Sequence, residues 1–307
     1  MLLSTLDSSI KQEVTTKTRL FALLLVAIFS ASTRGQEGKL PVSVTFTIAA
    51  DTNLVMIPGE SPGAPSFALD TGGGVSVLAK SLVEKLGGQS YGTFTGFRLT
   101  GERLDLQLYK VPELRVGPIV RRQVVVAEWD GLDKLHLEGI IALDFFRAQP
   151  FTLDFQHHQI IFESPASLAQ RRIVGKSVTL RLDDQRGVNL TPFARFRVGS
   201  RPAECEIDTG SQGYILNLRY MKQLGVDPNS SAVKRSEYTT ILGNKELRYT
   251  ATIPAPSLEG VPRATTGQAV SALFEEIIYD CNIGIDYWAN RIVTFDVPHR
   301  ALLVTAK

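Results

Sequence analysis

The sequence has 307 residues, 44% of them apolar and 21% charged, which is enough for one large hydrophobic core or two smaller ones. Lysine and arginine total 33 against 31 aspartates and glutamates, and the charges are dispersed, which argues against a nucleic-acid-binding surface. Four histidines and two cysteines, without CxxC or HExxH spacing, argue against a zinc module or a disulfide-dense scaffold. The composition indicates a globular protein whose chemistry uses groups other than clustered histidines and cysteines.

The first predicted element is an apolar run at 20–31, preceded by Lys17 and Arg19 and followed by small residues. This layout is typical of a secretory signal peptide, so we assign 1–32 to the signal and 33–41 to a short exposed lead segment. The run is shorter than the roughly 17 residues that a spanning helix needs, and a retained membrane anchor is therefore the alternative. We expect an exported, periplasmic or secreted protein that contacts a membrane only if this segment is retained.

The rest of the chain contains an internal repeat. The segment Phe-Ala-Leu-Asp-Thr-Gly-Gly at 67–73 recurs 138 residues later as Cys-Glu-Ile-Asp-Thr-Gly-Ser at 205–211. Each copy is followed by apolar residues at spacings of three and four and then by Gly87 or Gly225, a pattern that predicts an amphipathic helix ending at a glycine. The offset then becomes 142 and persists to Val304. Chance similarity would not keep one register across a strand, a helix, a turn and two more strands.

Each repeat consists mainly of short strands rich in Val, Ile and Phe, separated by Gly and Pro turns, with one clear helix. We therefore predict a mainly β, bilobal fold with a first lobe at 42–166, a linker at 167–176 and a second lobe at 177–307. A two-unit repeat of this kind is most simply an internal pseudo-dimer with a site at its pseudo-twofold axis.

Asp70 and Asp208 each follow an apolar strand and precede Thr-Gly, so each is delivered into a tight loop. One such tripeptide is weak evidence, but two at matched positions of a repeat point to paired catalytic carboxylates. Two like charges at roughly 3 Å cannot both ionise easily, so the pair would retain one proton. The ionised member can then take a proton from water while the protonated member polarises a carbonyl, which predicts amide hydrolysis without a covalent intermediate.

The residues that follow the two aspartates fit this interpretation. The predicted supporting residues are Thr71, Gly72, Gly73, Thr209, Gly210 and Ser211. Gly72 and Gly210 lack a Cβ, so backbone amides can approach the carboxylates and donate hydrogen bonds to them. The two threonine hydroxyls can interlock across the axis, although threonine also merely suits a strand end.

From about Val42 to Val304 the sequence resembles the aspartic peptidases of the pepsin and retropepsin type. In that family each half supplies an Asp-Thr-Gly loop and a hydrophobic-hydrophobic-glycine segment behind it, which here looks like 140–142 and 282–284. The Leu-Asp-Phe-Phe segment at 143–146 is similar to exported bacterial members with retropepsin-like halves. The resemblance implies two closed-barrel-like β lobes with one short helix each, a substrate cleft between them and a β-hairpin flap.

The flap candidates by this resemblance are Thr100, Gly101, Leu242 and Gly243. The sequence departs from the family pattern at three places. Gly73 stands where Ser, Thr or Ala is usual, Ala142 replaces a glycine, and no tyrosine occupies the turn near Leu99–Leu104. These departures either tune the aspartate pair asymmetrically or mark reduced activity.

Cys205 lies three residues before Asp208, and Cys281 lies three residues before Gly284. In a fold where these two segments are neighbours, the cysteines would be close, and an exported protein permits a disulfide between them.

Other residues also recur in the repeat or near its ends. They are Asp144 with Asp286, Asp154 with Asp296, and the turn histidines His157, His158 and His299. We interpret the aspartates as capping or ion-paired residues, because each follows an apolar strand in a turn-like context, and the histidines as solvated turn residues without a metal.

The sequence therefore predicts a single-chain aspartic endopeptidase that acts on extended peptides or proteins as a monomer, with no metal, organic cofactor or nucleic acid. Two alternatives remain open. One is a peptide-binding or scaffold protein of the same fold that has lost efficient turnover. The other is an enzyme whose halves pair between two chains.

Overall fold

The computed structural model describes residues 40–306, apart from 51–52, 60–62, 135–136, 241–242 and 263–267. The predicted signal segment and nearly all of the lead segment lie outside the described residues, as does the flap candidate Leu242. Within the described ranges, no helix is both long enough and apolar enough to cross a membrane.

The first repeat is built from short strands. In its described part these are β1 (Val42–Thr45), β2 (Thr47–Ile48), β3 (Val55–Ile57), β4 (Phe67–Leu69), β5 (Val77–Leu78), β6 (Gln89–Phe97), β7 (Arg103–Val116), β8 (Ile119–Glu128), β9 (Gly139–Ile141), β10 (Phe151–Asp154) and β11 (Gln159–Phe162). In β7, Leu104, Leu106 and Leu108 alternate with exposed Arg103, Asp105 and Gln107, as expected for a strand with one buried face.

The second repeat is likewise β-rich. Its described strands are β12 (Lys176–Thr179), β13 (Arg181–Gln185), β14 (Asn189–Val198), β15 (Arg201–Ile207), β16 (Tyr214–Asn217), β17 (Lys234–Thr239), β18 (Lys245–Pro254), β19 (Ser257–Leu258), β20 (Ala269–Glu275), β21 (Cys281–Ile283), β22 (Arg291–Asp296) and β23 (Ala301–Ala306).

The helices are short and more numerous than the one per lobe that the sequence predicts. They are α1 (Lys80–Lys85), α2 (Gly131–Lys134), α3 (Pro165–Val174), α4 (Arg219–Gln223) and α5 (Ile285–Trp288), with 3₁₀ turns at Leu143–Phe146 and Val297–His299. The predicted helix of each repeat is present as α1 and α4, and each is followed by a glycine with positive φ, Gly87 or Gly225. The helix α3 begins just before the predicted linker and covers most of it, and Ser164 and Ser167 cap each other at its start.

The two repeats fold into sheets with the same strand order. The first sheet runs β2-β3-β4-β9-β5-β8-β7-β6, and the second runs β13-β14-β15-β21-β16-β20-β18-β17, with β19 beside β14. In both sheets, the strand that leads to an aspartate (β4 or β15) lies parallel to the strand of the hydrophobic segment (β9 or β21). The fold is therefore mainly β and two-lobed, as predicted, but these are open strand orders rather than closed barrels.

A third sheet joins the two repeats, in the order β1-β11-β10-β22-β23-β12. At its centre β10 pairs with β22, which places Thr152 opposite Thr294 and Phe151 opposite Phe295. The two threonine hydroxyls are 2.7 Å apart, and the two phenyl rings stack with centroids 5.0 Å apart. All four side chains are buried, so the junction of the lobes is a packed core rather than a flexible linker.

Candidate active site

The two aspartates occupy equivalent positions at the ends of matching strands. Asp70 follows β4 and donates its backbone N–H to Ile141 O at 2.9 Å, while Asp208 follows β15 and donates to Ile283 O at 3.0 Å. The hydrophobic segment of each lobe therefore lies beside the Asp-Thr-Gly loop, where it fixes the backbone of the aspartate.

The structure brings the two loops together so that each glycine faces the other aspartate. A Cβ built on Gly72 would lie 2.6 Å from Asp208 Cγ, and one built on Gly210 would lie 2.5 Å from Asp70 Cγ. Only a residue without a side chain fits at such distances. The carboxyl groups of Asp70 and Asp208 are close enough for the charge of Asp208 to act on Asp70.

The threonines of the two loops interlock, as the sequence predicts. Thr71 N–H donates to Thr209 Oγ1 at 3.0 Å, and Thr209 N–H donates to Thr71 Oγ1 at 3.1 Å. Each hydroxyl in turn donates across the interface, from Thr71 to Ile207 O at 2.7 Å and from Thr209 to Leu69 O at 2.9 Å. Both threonines are almost completely buried, so these four bonds tie the loops rigidly to each other.

The electrostatics of the pair are unequal. Burial, followed by the charge and the hydrogen bond of Asp208 and the charge of Glu206, raises the pKa of Asp70 well above its usual range, while the Gly73 amide acts in the opposite direction. Asp208 accepts a hydrogen bond at each carboxyl oxygen, from Gly210 N–H at 2.7 Å and from Asn282 Nδ2 at 2.7 Å. Acceptance at both oxygens suits an ionised carboxylate, and the raised pKa of Asp70 suits a protonated one.

The departures at Gly73 and Ala142 have local explanations. A Cβ on Gly73 would lie 3.2 Å from Asp70 Cγ, so glycine relieves a tight contact there. On the other side of the axis, the Ser211 hydroxyl makes no hydrogen bond to Asp208 among the described residues. Gly284 must be glycine because a Cβ would lie 2.4 Å from Ser211 O, whereas the equivalent Ala142 is buried and donates its N–H to Ser76 Oγ at 3.0 Å.

The flap candidates lie at the tips of two hairpins, one in each lobe. Thr100 and Gly101 are in the turn between β6 and β7, and Gly243 is in the turn between β17 and β18; both glycines have positive φ. The two tips touch through Glu102, whose Oε1 accepts a hydrogen bond of 2.5 Å from Thr240 Oγ1 and another of 2.5 Å from Asn244 Nδ2.

Cys205 and Cys281 form a disulfide, with their Cα atoms 4.6 Å apart. They are directly paired residues of the parallel strands β15 and β21, and both are fully buried. The disulfide thus joins the strand that leads to Asp208 to the strand that passes behind it.

The recurring aspartates serve the structure around the site. Asp144 accepts hydrogen bonds from Ser76 N–H at 3.1 Å and Ser76 Oγ at 2.6 Å, and burial raises its pKa to about 6. Asp286 is exposed and accepts from Gln212 Nε2 at 2.8 Å.

Near the repeat ends, Asp154 and Asp296 contact the turn histidines. His157 Nδ1 lies 2.7 Å from Asp154 Oδ2, and His299 Nδ1 lies 2.8 Å from Asp296 Oδ1, with Arg172 also bound to Asp296. No cluster of three or more potential metal ligands occurs in the described ranges.

Sequence reasoning missed two polar residues beside the aspartates, Glu206 and Asn282. The signal was present, because each is a polar residue within an otherwise apolar strand, Cys-Glu-Ile or Cys-Asn-Ile. In the first repeat the equivalent residues are the apolar Ala68 and Ile140. Their role depends on which residues the strand register places side by side.

Comparison with known proteins gives one family match. Residues 55–145, which include the first Asp-Thr-Gly loop and the first hydrophobic segment, match the model of the family described as aspartyl protease. No curated protein matches the sequence.

Solved structures that match include conglutin gamma from lupine seeds, with 11% sequence identity, and basic 7S globulin from soybean, with 10%. Each match covers 87% of this chain and 95% of the other chain, with a TM-score of 0.49. The family match covers the first repeat, and the second Asp-Thr-Gly loop lies at the equivalent position of the second repeat.

Proposed function

We propose that this protein is an aspartic endopeptidase in which Asp70 and Asp208 activate a water molecule between the two lobes. The observation that carries the proposal is the reciprocal packing of the two loops, with each glycine against the carboxyl group of the opposite aspartate. Nothing in a merely structural turn requires two carboxyl groups to share a buried site, because their mutual repulsion opposes folding.

The chemistry follows from the unequal hydrogen bonding of the pair. Asp208, as the ionised member, takes a proton from the water, whose oxygen then bonds to the peptide carbonyl carbon. Asp70 gives its proton to the carbonyl oxygen, which yields a neutral tetrahedral diol. The C–N bond then breaks as Asp208 gives its proton to the leaving nitrogen and a diol hydroxyl returns a proton to Asp70. Positioned proton transfer of this kind typically accelerates a reaction by about 10²- to 10⁴-fold.

The substrate in this proposal is an extended peptide segment, bound partly through main-chain hydrogen bonds to the flap hairpins in the manner of an added strand. Two hairpins that meet at their tips, through Glu102, favour a substrate enclosed from both lobes. Since one chain contributes both aspartates, the monomer suffices for the reaction.

Export is part of the same proposal. The disulfide between Cys205 and Cys281 supports it, because disulfides persist in the periplasm and outside the cell and are rare in the cytosol. Whether the N-terminal segment is removed or anchors the protein is decided by N-terminal sequencing of the protein recovered from the producing cell.

The test is cleavage of a diverse peptide pool from acid to neutral pH, with products identified by mass spectrometry. We expect no cleavage by the variants Asp70→Asn and Asp208→Asn, and none by wild type with a statine-type transition-state inhibitor. The control Asp130→Asn, at an exposed position, should cut as wild type does. Thermal unfolding of each variant checks that it is folded. A wild-type protein that binds peptides but cuts none would replace the enzyme by a peptide-binding role.

A further inference from the structure

The two lobes differ in the side chains that lie beside their aspartates, although the Asp-Thr-Gly loops themselves are equivalent. Side chains two residues apart on a strand share a face, so Glu206 lies on the same face of β15 as Asp208, and its partner on β21 is Asn282. At the equivalent place in the first lobe, Ala68 pairs with Ile140. One lobe therefore supports its aspartate with an apolar pair and the other with a polar pair.

A single amide group connects the two acidic side chains of the second lobe. Asn282 Nδ2 donates one hydrogen bond to Asp208 Oδ2 at 2.7 Å and the other to Glu206 Oε2 at 2.8 Å. Asn282 is 1% exposed and Glu206 is 5% exposed, so both interactions are shielded from water. The amide uses both of its hydrogens in this way and fixes the distance between the two carboxyl groups.

Glu206 belongs to the same electrostatic unit as the aspartates. The groups that interact with it are Asn282, Asp208, Asp70 and the phenol of Tyr279. Burial and then the charge of Asp208 raise the pKa of Glu206 to about 8, against an ordinary value of 4.5. At neutral pH this third carboxyl is therefore uncharged. When it ionises, its charge opposes loss of the proton from Asp70.

We propose that Glu206 and Asn282 form a positioning pair in which Asn282 orients Asp208 and Glu206, once ionised, opposes loss of the proton from the aspartate pair at mildly alkaline pH. The inference rests on the proposed endopeptidase function and deepens it, because it concerns the regulation of the same site by pH. Asn282 orients the base, and the charge that Glu206 acquires at mildly alkaline pH favours the protonated form of Asp70. Neither residue touches the substrate.

The first experiment compares the pH dependence of kcat/KM for wild type and Glu206→Gln on one peptide that the wild type cuts. Glutamine keeps an oxygen for Asn282 but cannot ionise. The variant should retain activity at acid pH, while its alkaline limb moves to lower pH. An alkaline limb that stays in place or moves to higher pH would overturn the role of Glu206.

Matched variants separate this role from general packing. Glu163→Gln removes another buried carboxyl, one bonded to Thr152 and Arg171 away from the aspartates, and should leave the pH profile unchanged.

Asn282→Leu should lower kcat by roughly 10- to 100-fold with little change in KM, since it removes a hydrogen bond to a charged group. The double variant Glu206→Ala with Asn282→Ile copies the first lobe, and it should fold but show the same narrowed pH range. An Asn282→Leu variant with unchanged kcat contradicts the positioning role.

A second measurement does not depend on activity. In protein labelled with ¹³C at glutamate carboxyl groups, the Glu206 signal is identified by its loss in Glu206→Gln, and its titration midpoint should lie near 8. In Asp208→Asn the midpoint should move to lower pH, because a charge that raises it is gone. A midpoint near 4.5, or one unaffected by Asp208→Asn, overturns the inference even if the protein is an active peptidase. If wild type cuts nothing, the endopeptidase proposal fails, and the titration still decides whether the carboxyl groups are coupled.

Discussion

Gly72 packs directly against the carboxyl group of Asp208, although the two residues come from different lobes. A methyl group on Gly72 would lie 2.6 Å from Asp208 Cγ and 2.8 Å from Asp208 Oδ1. Real Cβ atoms do not approach other atoms so closely, so the geometry of one aspartate depends on the absence of a side chain in the opposite loop.

Gly72→Ala should therefore separate the two loops and lower kcat by roughly 100-fold or more, because a misplacement of about 1 Å is enough for such a loss. Gly213→Ala is the matched control, since its Cβ would lie 3.6 Å from the nearest atom, Asp286 Oδ2, an ordinary contact distance. Steady-state cleavage of one peptide measures both variants. Equal activity of the two would contradict the close packing.

The hydroxyl of Thr209 should contribute measurably to stability. Thr209→Val keeps the shape of the side chain but leaves the buried Thr71 N–H without its acceptor, and we expect a loss of about 1–3 kcal/mol in the free energy of unfolding. Denaturant unfolding measures this loss. The control is Thr45→Val, at an exposed position of β1, which should change stability little. A similar effect of both substitutions would show that the interlocked hydroxyls do not stabilise the interface.

Asp144 should make stability depend on pH in a defined window. Its pKa is raised from 3.8 to about 6 in the folded protein, so its stabilising contribution is complete below 3.8 and is lost as the pH rises through about 6. The melting temperature of Asp144→Asn relative to wild type should therefore increase between these two values and level off above 6. Asp130→Asn, at an exposed position, should show no such trend. If the melting temperature of Asp144→Asn relative to wild type does not change with pH, the pKa of Asp144 is not raised.

Reduction of the Cys205–Cys281 disulfide should destabilise the protein. The bridge spans 76 residues, and closing a loop of that length corresponds to about 4 kcal/mol in the chain-entropy model. Denaturant unfolding with and without reductant measures the effect. The Cys205→Ala, Cys281→Ala double variant is the control, because reductant should no longer matter to it. If the denaturant midpoint of the wild type is the same with and without reductant, the disulfide is not formed in solution.

Glu102 should hold the two hairpin tips together. Its carboxylate accepts hydrogen bonds from Thr240 and Asn244, and these, with Thr240 first, lower its pKa below the ordinary 4.5. The contact is therefore present at neutral pH and is lost as the pH falls through the lowered pKa. Glu102→Ala should speed amide hydrogen exchange at both tips and raise KM for peptides.

Glu113→Ala is the matched control for this substitution, because Glu113 lies in β7 and forms an ion pair with the exposed Arg122, away from the hairpin tips. Exchange at the hairpin tips should match wild type in this control. Unchanged exchange in Glu102→Ala would mean that the tips are held by other contacts, such as the 3.0 Å bond from Ile278 N–H to Leu99 O.

Much of the fold could be predicted because the repeat is visible in the sequence. Asp-Thr-Gly occurs twice with the same apolar strand before it and the same helix pattern after it, and the structure realises this as two sheets of equal strand order. Amphipathic spacing and glycine positions are local signals, so they predict α1 and α4 and their ends.

The polar asymmetry of the site could not be predicted in the same way. Glu206 and Asn282 are 76 residues apart, and their pairing depends on the register of two parallel strands, which no local pattern determines. The contact of Glu102 with the opposite hairpin likewise depends on how two loops meet in space. The helix α3 is not predicted for a different reason: most of it lies in the segment 167–176 that the sequence indicates as a linker, whereas a proline at the first turn is compatible with a helix.

The shared sheet has a consequence for what happens when the chain is cut. Three of its strands, β1, β11 and β10, precede α3, and the other three, β22, β23 and β12, follow it. A protease that nicked α3 would therefore leave two fragments whose exposed edges, β10 and β22, are complementary to each other. Such fragments would stay in contact through the hydrogen bonds between β10 and β22. The covalent link through α3 is therefore not what holds the two halves of the site together. The pairing of β10 with β22 does so.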